Sequence, residues 1–516
     1  MQRAGSVLRR RGIGHGGWLA TLALAALPGF AIALLPLELA ALLVLGAIAA
    51  GLALLDPVWA LYLAVLSVPV QELWLLPGGL SVTQAALLLA VTSLALHTLA
   101  FPAQPLRLGR LFVPLAIFVW TLALSAAFSP YSRVEGLRET ARWATVPLVY
   151  LLALRALSQA GGGAPEQGEH GAGGLLVRGP GWRVWGLVAC LLLAPTLSAI
   201  VGLVQYGLGL GPESFGVGGG RVRAYGTIGQ PNSFAGYMNQ SWPLAAGLAV
   251  FAAIGLLAGA PRRPTRWALA GASGAAALLL AALLASFSRG GWVGGAAGAL
   301  ALTIATIALL PADLRPQARR LLIGGAAATI LVLGLGGGGL LPATVTQRAS
   351  SLVNNLRLFD PRGVDVTRAN FAVVERMAHL QAGWNMVASR PLLGVGPGNF
   401  SLAYERPPRA GEPPFSVRPW YESRGHAHNY YLHVAAEAGI LGLLAYLALI
   451  GAVVAQAVGA RRSARSWFWR GVAAGSTAVV AAVAAHNLFE NLHVLNMGLQ
   501  LGAIWALLTL VEENQP

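Results

Sequence analysis

Apolar runs of about 18 residues or more recur along this chain, and they restrict its fold more than any other feature. Backbone inside a lipid core has to satisfy its own hydrogen bonds, which leaves helices or a closed barrel. A barrel would need alternating segments of about ten residues, and the sequence has none. Charged residues make up 10% of the 516, against about 25% in a soluble domain. The chain therefore reads as an all-α polytopic membrane protein in a lipid bilayer. Spans fall at 17–35, 38–55, 58–76, 81–101, 111–128, 142–157, 183–209, 233–258, 267–286, 291–310, 320–341, 429–457, 470–489 and 494–511. The first two are short, so the expectation is about 12–14 transmembrane helices.

Arginine orients these spans. The chain contains no lysine, so all 35 basic residues are arginine and the net charge is +16. Each guanidinium can fork onto a phosphate. They are scattered between apolar spans, with no continuous basic face, which argues against nucleic acid as a partner. Short cytoplasmic loops of a membrane protein hold its positive charge. Arg9, Arg10 and Arg11 place the N-terminus in the cytoplasm, and the segment after them reads as a retained first helix. Counting forward puts Arg107 and Arg110, Arg178 and Arg183, Arg262, Arg263 and Arg266, Arg315, Arg319 and Arg320, and Arg461, Arg462, Arg465 and Arg470 on the same side. Residues 129–141, 210–232, 286–290 and 342–428 are left outside. They carry arginine too, against the rule, at Arg133, Arg138, Arg142, Arg221, Arg223 and Arg289. A wrong-side arginine is either a solvated loop charge or a ligand for an anionic substrate.

Four units follow: N-terminal spans over 1–209, central spans with arginine-bearing outer loops over 210–341, an outer domain over 342–428, and C-terminal spans over 429–516. The glycine-rich loop 158–180 reads as a flexible cytoplasmic linker. The Gly336–Gly339 run caps a span. The single cysteine, Cys190, lies in an apolar run, so an intrachain disulfide and a Cys–His metal cluster are excluded. Within 367–389 the apolar residues Phe371, Val374, Met377, Leu380, Trp384 and Val387 recur at helical steps, which predicts an amphipathic helix. It should stop at Arg390-Pro391, because proline restricts the residue before it. The turn Gly394–Phe400 is glycine-rich, but it lacks the Lys-Ser/Thr of a phosphate loop and follows no strand.

Three polar clusters break the apolar pattern. In 223–237, Arg223, Tyr225 and Asn232 surround glycines that let backbone approach a ligand, and Pro231-Asn232 reads as a turn into a helix whose N-terminus favours an anion. In Ser286–Trp292, Arg289 sits in a tight turn between spans, where it either snorkels to headgroups or binds pyrophosphate. His426–Gly442 brings three histidines, Asn429 and Glu437 to a membrane boundary, where ionisable groups cost free energy. A neutral histidine there can serve as a general base. By spacing, His428 and His433 are the pair that could share a helix face, and no His-Glu-x-x-His pattern occurs, so no metal is expected. His426 and His428 both remain candidates for the base, with Asn429 placed to orient the ring of His428. Glu437 is as well placed to pair with an arginine as to catalyse. His486–His493 either lines the same cavity or caps two helices.

His428-Asn429, nine residues, then Gly439-x-x-Gly442 resembles the histidine motif of bacterial O-antigen ligases. The Arg223…Pro231-Asn232 segment, the Ser288-Arg289-Gly290 turn and Pro391–Phe400 are similar to that family and its polymerase relatives, over about residues 215–445. The resemblance implies a GT-C-like, inverting, metal-independent glycosyltransferase of the bacterial inner membrane, without a cofactor. It would move a glycan from undecaprenyl pyrophosphate to a lipid A-core or similar acceptor on the periplasmic face, in lipopolysaccharide biosynthesis. By the motif, His428 would be the base and Arg223 and Arg289 would hold the pyrophosphate. His426, Asn429, Glu437, Asn232, Tyr225 and Arg138 are candidates for supporting roles. The alternatives are a repeat-unit polymerase, a protein O-oligosaccharyltransferase and a membrane transporter. Against the transporter stand the large outer insertion and the expectation of no paired broken helices.

Overall fold

The computed structural model describes residues 36–158, 181–310, 315–316, 320 and 359–513, apart from 74, 77–78, 103–105, 368–369, 408–410, 412, 419–421 and 424. The expected spans at 17–35 and 320–341, the linker at 158–180 and the Gly336–Gly339 run lie essentially outside these residues. In chain order the helices are α1 (Leu37–Leu55), α2 (Pro57–Ser67), α3 (Val82–Ala100), α4 (Phe112–Ala127), α5 (Arg133–Ser158), α6 (Trp182–Leu208), α7 (Pro231–Asn239), α8 (Trp242–Leu257), α9 (Arg262–Ala285), α10 (Arg289–Leu309), α11 (Phe371–Ser389), α12 (Phe400–Glu405), α13 (Tyr430–Ser463), α14 (Trp467–His486) and α15 (Gly498–Glu513). Short 3-10 turns lie at Val68–Val70 and Glu213–Phe215, and a small antiparallel hairpin pairs β1 (Gly216–Gly218) with β2 (Arg221–Val222). Among the described residues, 8 helical segments are long and apolar enough to cross a membrane. The molecule is a polytopic, helical membrane protein.

Local chemistry sets the helix ends. Asp56 accepts from the Val58 N–H at 3.0 Å and Pro57 opens α2, where its missing N–H costs nothing. Ser81 and Gln84 close a reciprocal capping box on α3. Between helices, small residues do the work that large ones do in water, because lipid is as apolar as leucine and only close packing is gained. Helix α14 packs on both α10 and α8. A Cβ added at Gly294 would lie 2.7 Å from the Ala482 carbonyl, and one at Gly247 2.6 Å from the Gly471 carbonyl. At the other side of the bundle Trp143, Tyr430 and His493 stack together, with ring centroids 4.5 Å apart for Trp143–His493 and for Tyr430–His493. That cluster fixes α5, the start of α13 and the 487–497 connection to one another.

Four expectations are changed by the structure. The segment 129–141, expected as a loop, is mostly helix, because α5 starts at Arg133. Arg138 pairs with Glu135 and Arg142 with Glu139, three residues apart on one helical face. The span at 233–258 is two helices, α7 and α8, with Pro243 in the first turn of the second. The break is fully buried, and Gln500 fills it by donating to the Gln240 carbonyl at 3.3 Å and the Ser241 hydroxyl at 2.7 Å. Helix α13 is also interrupted, at Gly439 with φ 68°. Broken helices are therefore present, contrary to the sequence reading. Protein groups occupy both breaks, which is how non-helical backbone is tolerated at membrane depth. The helix of the insertion is found as α11 and stops at Arg390 as expected, but its buried face runs through Val374, Met377, Ala378, Ala382 and Met386, and Phe371 and Trp384 of the expected face are exposed.

Candidate functional site

His426 and His428 precede α13 and do not lie on it. Asn429 is the helix cap, accepting from the Leu432 N–H at 3.0 Å and donating to the Leu488 carbonyl at 3.2 Å. Its amide is spent on backbone rather than on the His428 ring. His428 has φ 54°, an uncommon conformation for a side chain of this size and one that collects at functional sites. The turn brings the rings of His426 and His428 to a centroid distance of 4.4 Å. His433, which spacing had matched with His428, instead lies one turn from Glu437, with its Nε2 3.5 Å from Oε2.

The partner of the two histidines comes from the far end of the chain. Glu490 is 5% exposed. Its Oε1 is 3.0 Å from His426 Nε2 and 3.8 Å from His428 Nδ1. Its Oε2 accepts from Asn232 Nδ2 at 2.7 Å. Asn232 in turn accepts from Arg223 Nη2 at 2.7 Å, and Arg223 Nε donates to the Ser286 carbonyl at 2.8 Å. A continuous polar chain thus runs from Arg223 through Asn232 and Glu490 to the imidazoles. His426 Nδ1 accepts from the His428 backbone N–H at 3.1 Å, so its proton sits on Nε2, toward Glu490. Burial pushes His426 below the usual histidine range, with Glu490 pulling against it. His426, His428 and Glu490 also offer ligand atoms within 4.8 Å of one another, a donor set that a zinc-type cation accepts.

Arg289 begins α10, behind Ser288, whose hydroxyl caps the helix by accepting from the Gly291 N–H at 3.2 Å. The preceding Phe287 has φ 49°. The Ala224 N–H donates to the Ala285 carbonyl at 2.8 Å, tying the Arg223 segment to the same turn. A Cβ added at Gly290 would lie 2.8 Å from His486 and from Phe489, so this turn packs directly beside the neighbour of Glu490. Tyr225 is elsewhere: its hydroxyl donates to the Leu210 carbonyl at 3.3 Å and its ring packs on Phe215.

The glycine-rich turn is itself an anion cradle, and its anion is Glu437. The Gly398 and Phe400 N–H groups donate to the two Glu437 oxygens at 2.9 and 3.0 Å. The same segment docks into the interruption of α13, with Ile440 N–H on the Pro391 carbonyl at 2.7 Å and Gly396 N–H on the Glu437 carbonyl at 2.8 Å. Gly439 has no side chain because the Leu392 carbonyl sits against it. Ser125 on α4 and Ser129 just beyond it donate to the Leu393 and Val395 carbonyls, at 2.6 and 2.8 Å. Of the His486–His493 cluster, Glu490 faces the histidines. Asn487 and His493 hold Tyr446 at 3.1 Å each, and His486 meets Asn239 at 3.3 Å.

His426, His433 and Glu437 also border a cavity of about 890 Å³, whose lining includes Arg138 but not Arg223, Asn232 or Arg289. Arg138 is thus distant in role from Arg223. Sequence reading had left Glu490 without an assignment. Its signal was a carboxylate in the polar His486–His493 cluster between two apolar spans, a residue type that needs a partner there.

Residues 274–447 match the family model for O-antigen ligase. Over these residues the chain is similar to the O-antigen ligase family. The matched residues contain Arg289, the Pro391–Phe400 turn, His426, His428 and the Gly439 interruption, while Arg223, Asn232 and Glu490 lie outside them. No curated protein matches the chain.

Proposed function

We propose that the protein is an inverting glycosyltransferase that moves a glycan from undecaprenyl pyrophosphate to the hydroxyl of a lipid A-core or similar acceptor on the periplasmic face. The observation that carries this reading is the polar chain in which Glu490 joins Arg223 and Asn232 to His426 and His428. His428 is the base. His426 has its acceptor nitrogen engaged by the His428 backbone N–H, so it holds Glu490 and the turn in place. Arg223, positioned by Ser286 and Asn232, and Arg289, in the first turn of α10, meet the pyrophosphate. As the bond from the anomeric carbon to the pyrophosphate oxygen breaks, negative charge grows on the leaving group, and guanidinium and helix N-terminal dipoles stabilise it. The acceptor oxygen attacks from the opposite face and gives its proton to His428. This route needs no metal.

The test is consumption of lipid-linked glycan by membranes carrying His428→Ala or Arg289→Ala. Both should lose turnover. Wild-type turnover by both would reject the assignment. A ligase knockout strands long chains on the lipid carrier, whereas a polymerase knockout leaves single repeat units, so the glycan ladder separates these two readings.

A second reading has its own observation, the His426–His428–Glu490 donor set. In this reading His426, His428 and Glu490 would hold a divalent cation, which would supply Lewis-acid stabilisation of the leaving pyrophosphate. Activity that survives exhaustive chelation and purified protein without stoichiometric metal reject it. Loss on chelation with recovery on added zinc supports it.

A further inference from the structure

The cavity of about 890 Å³ beside His426 is large enough for a saccharide terminus, since ligand pockets run to roughly 300–1,000 Å³. Its charge is unlike that around Arg223. Glu72, Glu135, Glu139 and Glu437 line it, against Arg138 and Arg142. Arg138 is paired to Glu135 and Arg142 to Glu139. Both guanidiniums of the described lining are thus already paired with a carboxylate, and an entering phosphate would have to displace one. Gln71, Asn491 and Asn496 add amides to the wall. Amides and carboxylates are the groups that exchange hydrogen bonds with sugar hydroxyls, which both donate and accept. His433 also lines the cavity, is 7% exposed, and its Nδ1 meets no hydrogen-bond partner among the described residues. A buried polar atom of that kind calls for a ligand or water.

We propose that this cavity is the acceptor subsite, and that it takes an uncharged or amino-sugar glycan terminus through its hydroxyls rather than a phosphorylated group. The proposal rests on the reading of the chain as a lipid-linked glycan transferase. The acceptor then reaches the histidine pair past His426, which lines the cavity and whose ring touches that of His428.

Ala141 lines the cavity and is exposed, so Ala141→Trp fills space without opening the core. The experiment uses the full chain in nanodiscs with two probes: undecaprenyl pyrophosphate, followed by calorimetry, and neutral hexose and N-acetylhexosamine oligomers, followed by saturation-transfer NMR. Ala141→Trp should weaken oligosaccharide binding by at least about tenfold, the effect of one blocked contact set, and leave the carrier lipid bound as in wild type. Glu72→Gln, which keeps the shape of the wall, should narrow the preference for neutral over phosphorylated oligomers. The proposal is overturned if Ala141→Trp displaces the carrier lipid and spares the sugars, or if phosphorylated oligomers bind the wild type more tightly than neutral ones. Failure of the transferase reading would show separately, as undiminished donor consumption by His428→Ala and Arg289→Ala membranes.

Discussion

Two sets of arginine near the histidine turn are held differently. On one side Arg223 donates to a backbone carbonyl and an amide oxygen, both neutral, and is linked through Asn232 to the Glu490 carboxylate. On the other, Arg138 and Arg142 each pair with a carboxylate three residues earlier on α5. Neutral acceptors fix a guanidinium without cancelling its charge, whereas a salt bridge does both. The first arrangement suits an anion that arrives with substrate. The second builds a polar wall with little charge to offer. Both sets looked alike as strings of wrong-side arginines, and the difference lies in what each side chain touches.

The comparison is broken or sharpened by substitution, starting with the largest effect. His428→Ala should lower turnover by about 10²–10⁴, the usual contribution of a general base, measured as glycan transfer at saturating donor. A loss of less than about tenfold would move the base elsewhere, since that is below what proton transfer supplies. Next come the two sets themselves. Arg289→Ala and Arg223→Ala should each cost roughly 10²–10³ in rate. Arg138→Ala, whose side chain is 71% exposed, should change rate little, because an exposed ion pair is worth about 0–1 kcal/mol. Equal losses in both sets would abolish the distinction.

Glu437→Ala should act on stability rather than on the chemical step. It strips the Gly398 and Phe400 N–H groups of their acceptor, and a buried donor left unsatisfied costs about 1–3 kcal/mol. Thermal unfolding in detergent reads the effect, and an unchanged melting temperature with lost turnover would make Glu437 catalytic. The smallest effect is that of pH. Burial pushes His493 down to about 3 and holds His426 below the usual range. An unfolded histidine titrates near ~6.5. Because the folded values are depressed, the contribution to stability is full above that pH and is lost as pH falls, when the unfolded chain binds protons that the fold refuses. The melting temperature should decline from pH 7 to 5, and it should decline less in His493→Gln. A flat profile contradicts the burial of both rings.

Much of the site was legible along the chain and its wiring was not. Arg223, Arg289, Asn232 and the two histidines are each a polar residue in an apolar setting, so composition alone singled them out. Glu490 carried the same signal, yet its partners lie 258 positions away at Asn232 and within the His426–His428 turn. The glycine-rich turn looked like a place for an external anion, and the fold fills it with Glu437. Asn429 looked like a ring-orienting residue and proved to be a helix cap.

By itself the sequence determined that the chain is a bundle of membrane helices, because hydropathy over about 20 residues is a local property and lipid permits few backbone solutions. It also determined which polar residues needed an explanation. The tertiary structure alone decided which arginines face neutral oxygens and which are paired, where α13 and the 231–257 segment break, and that one carboxylate ties both ends of the site together. Those outcomes depend on contacts between residues far apart in sequence, whose hydrogen bonds have distance and direction, and no periodicity along the chain encodes them.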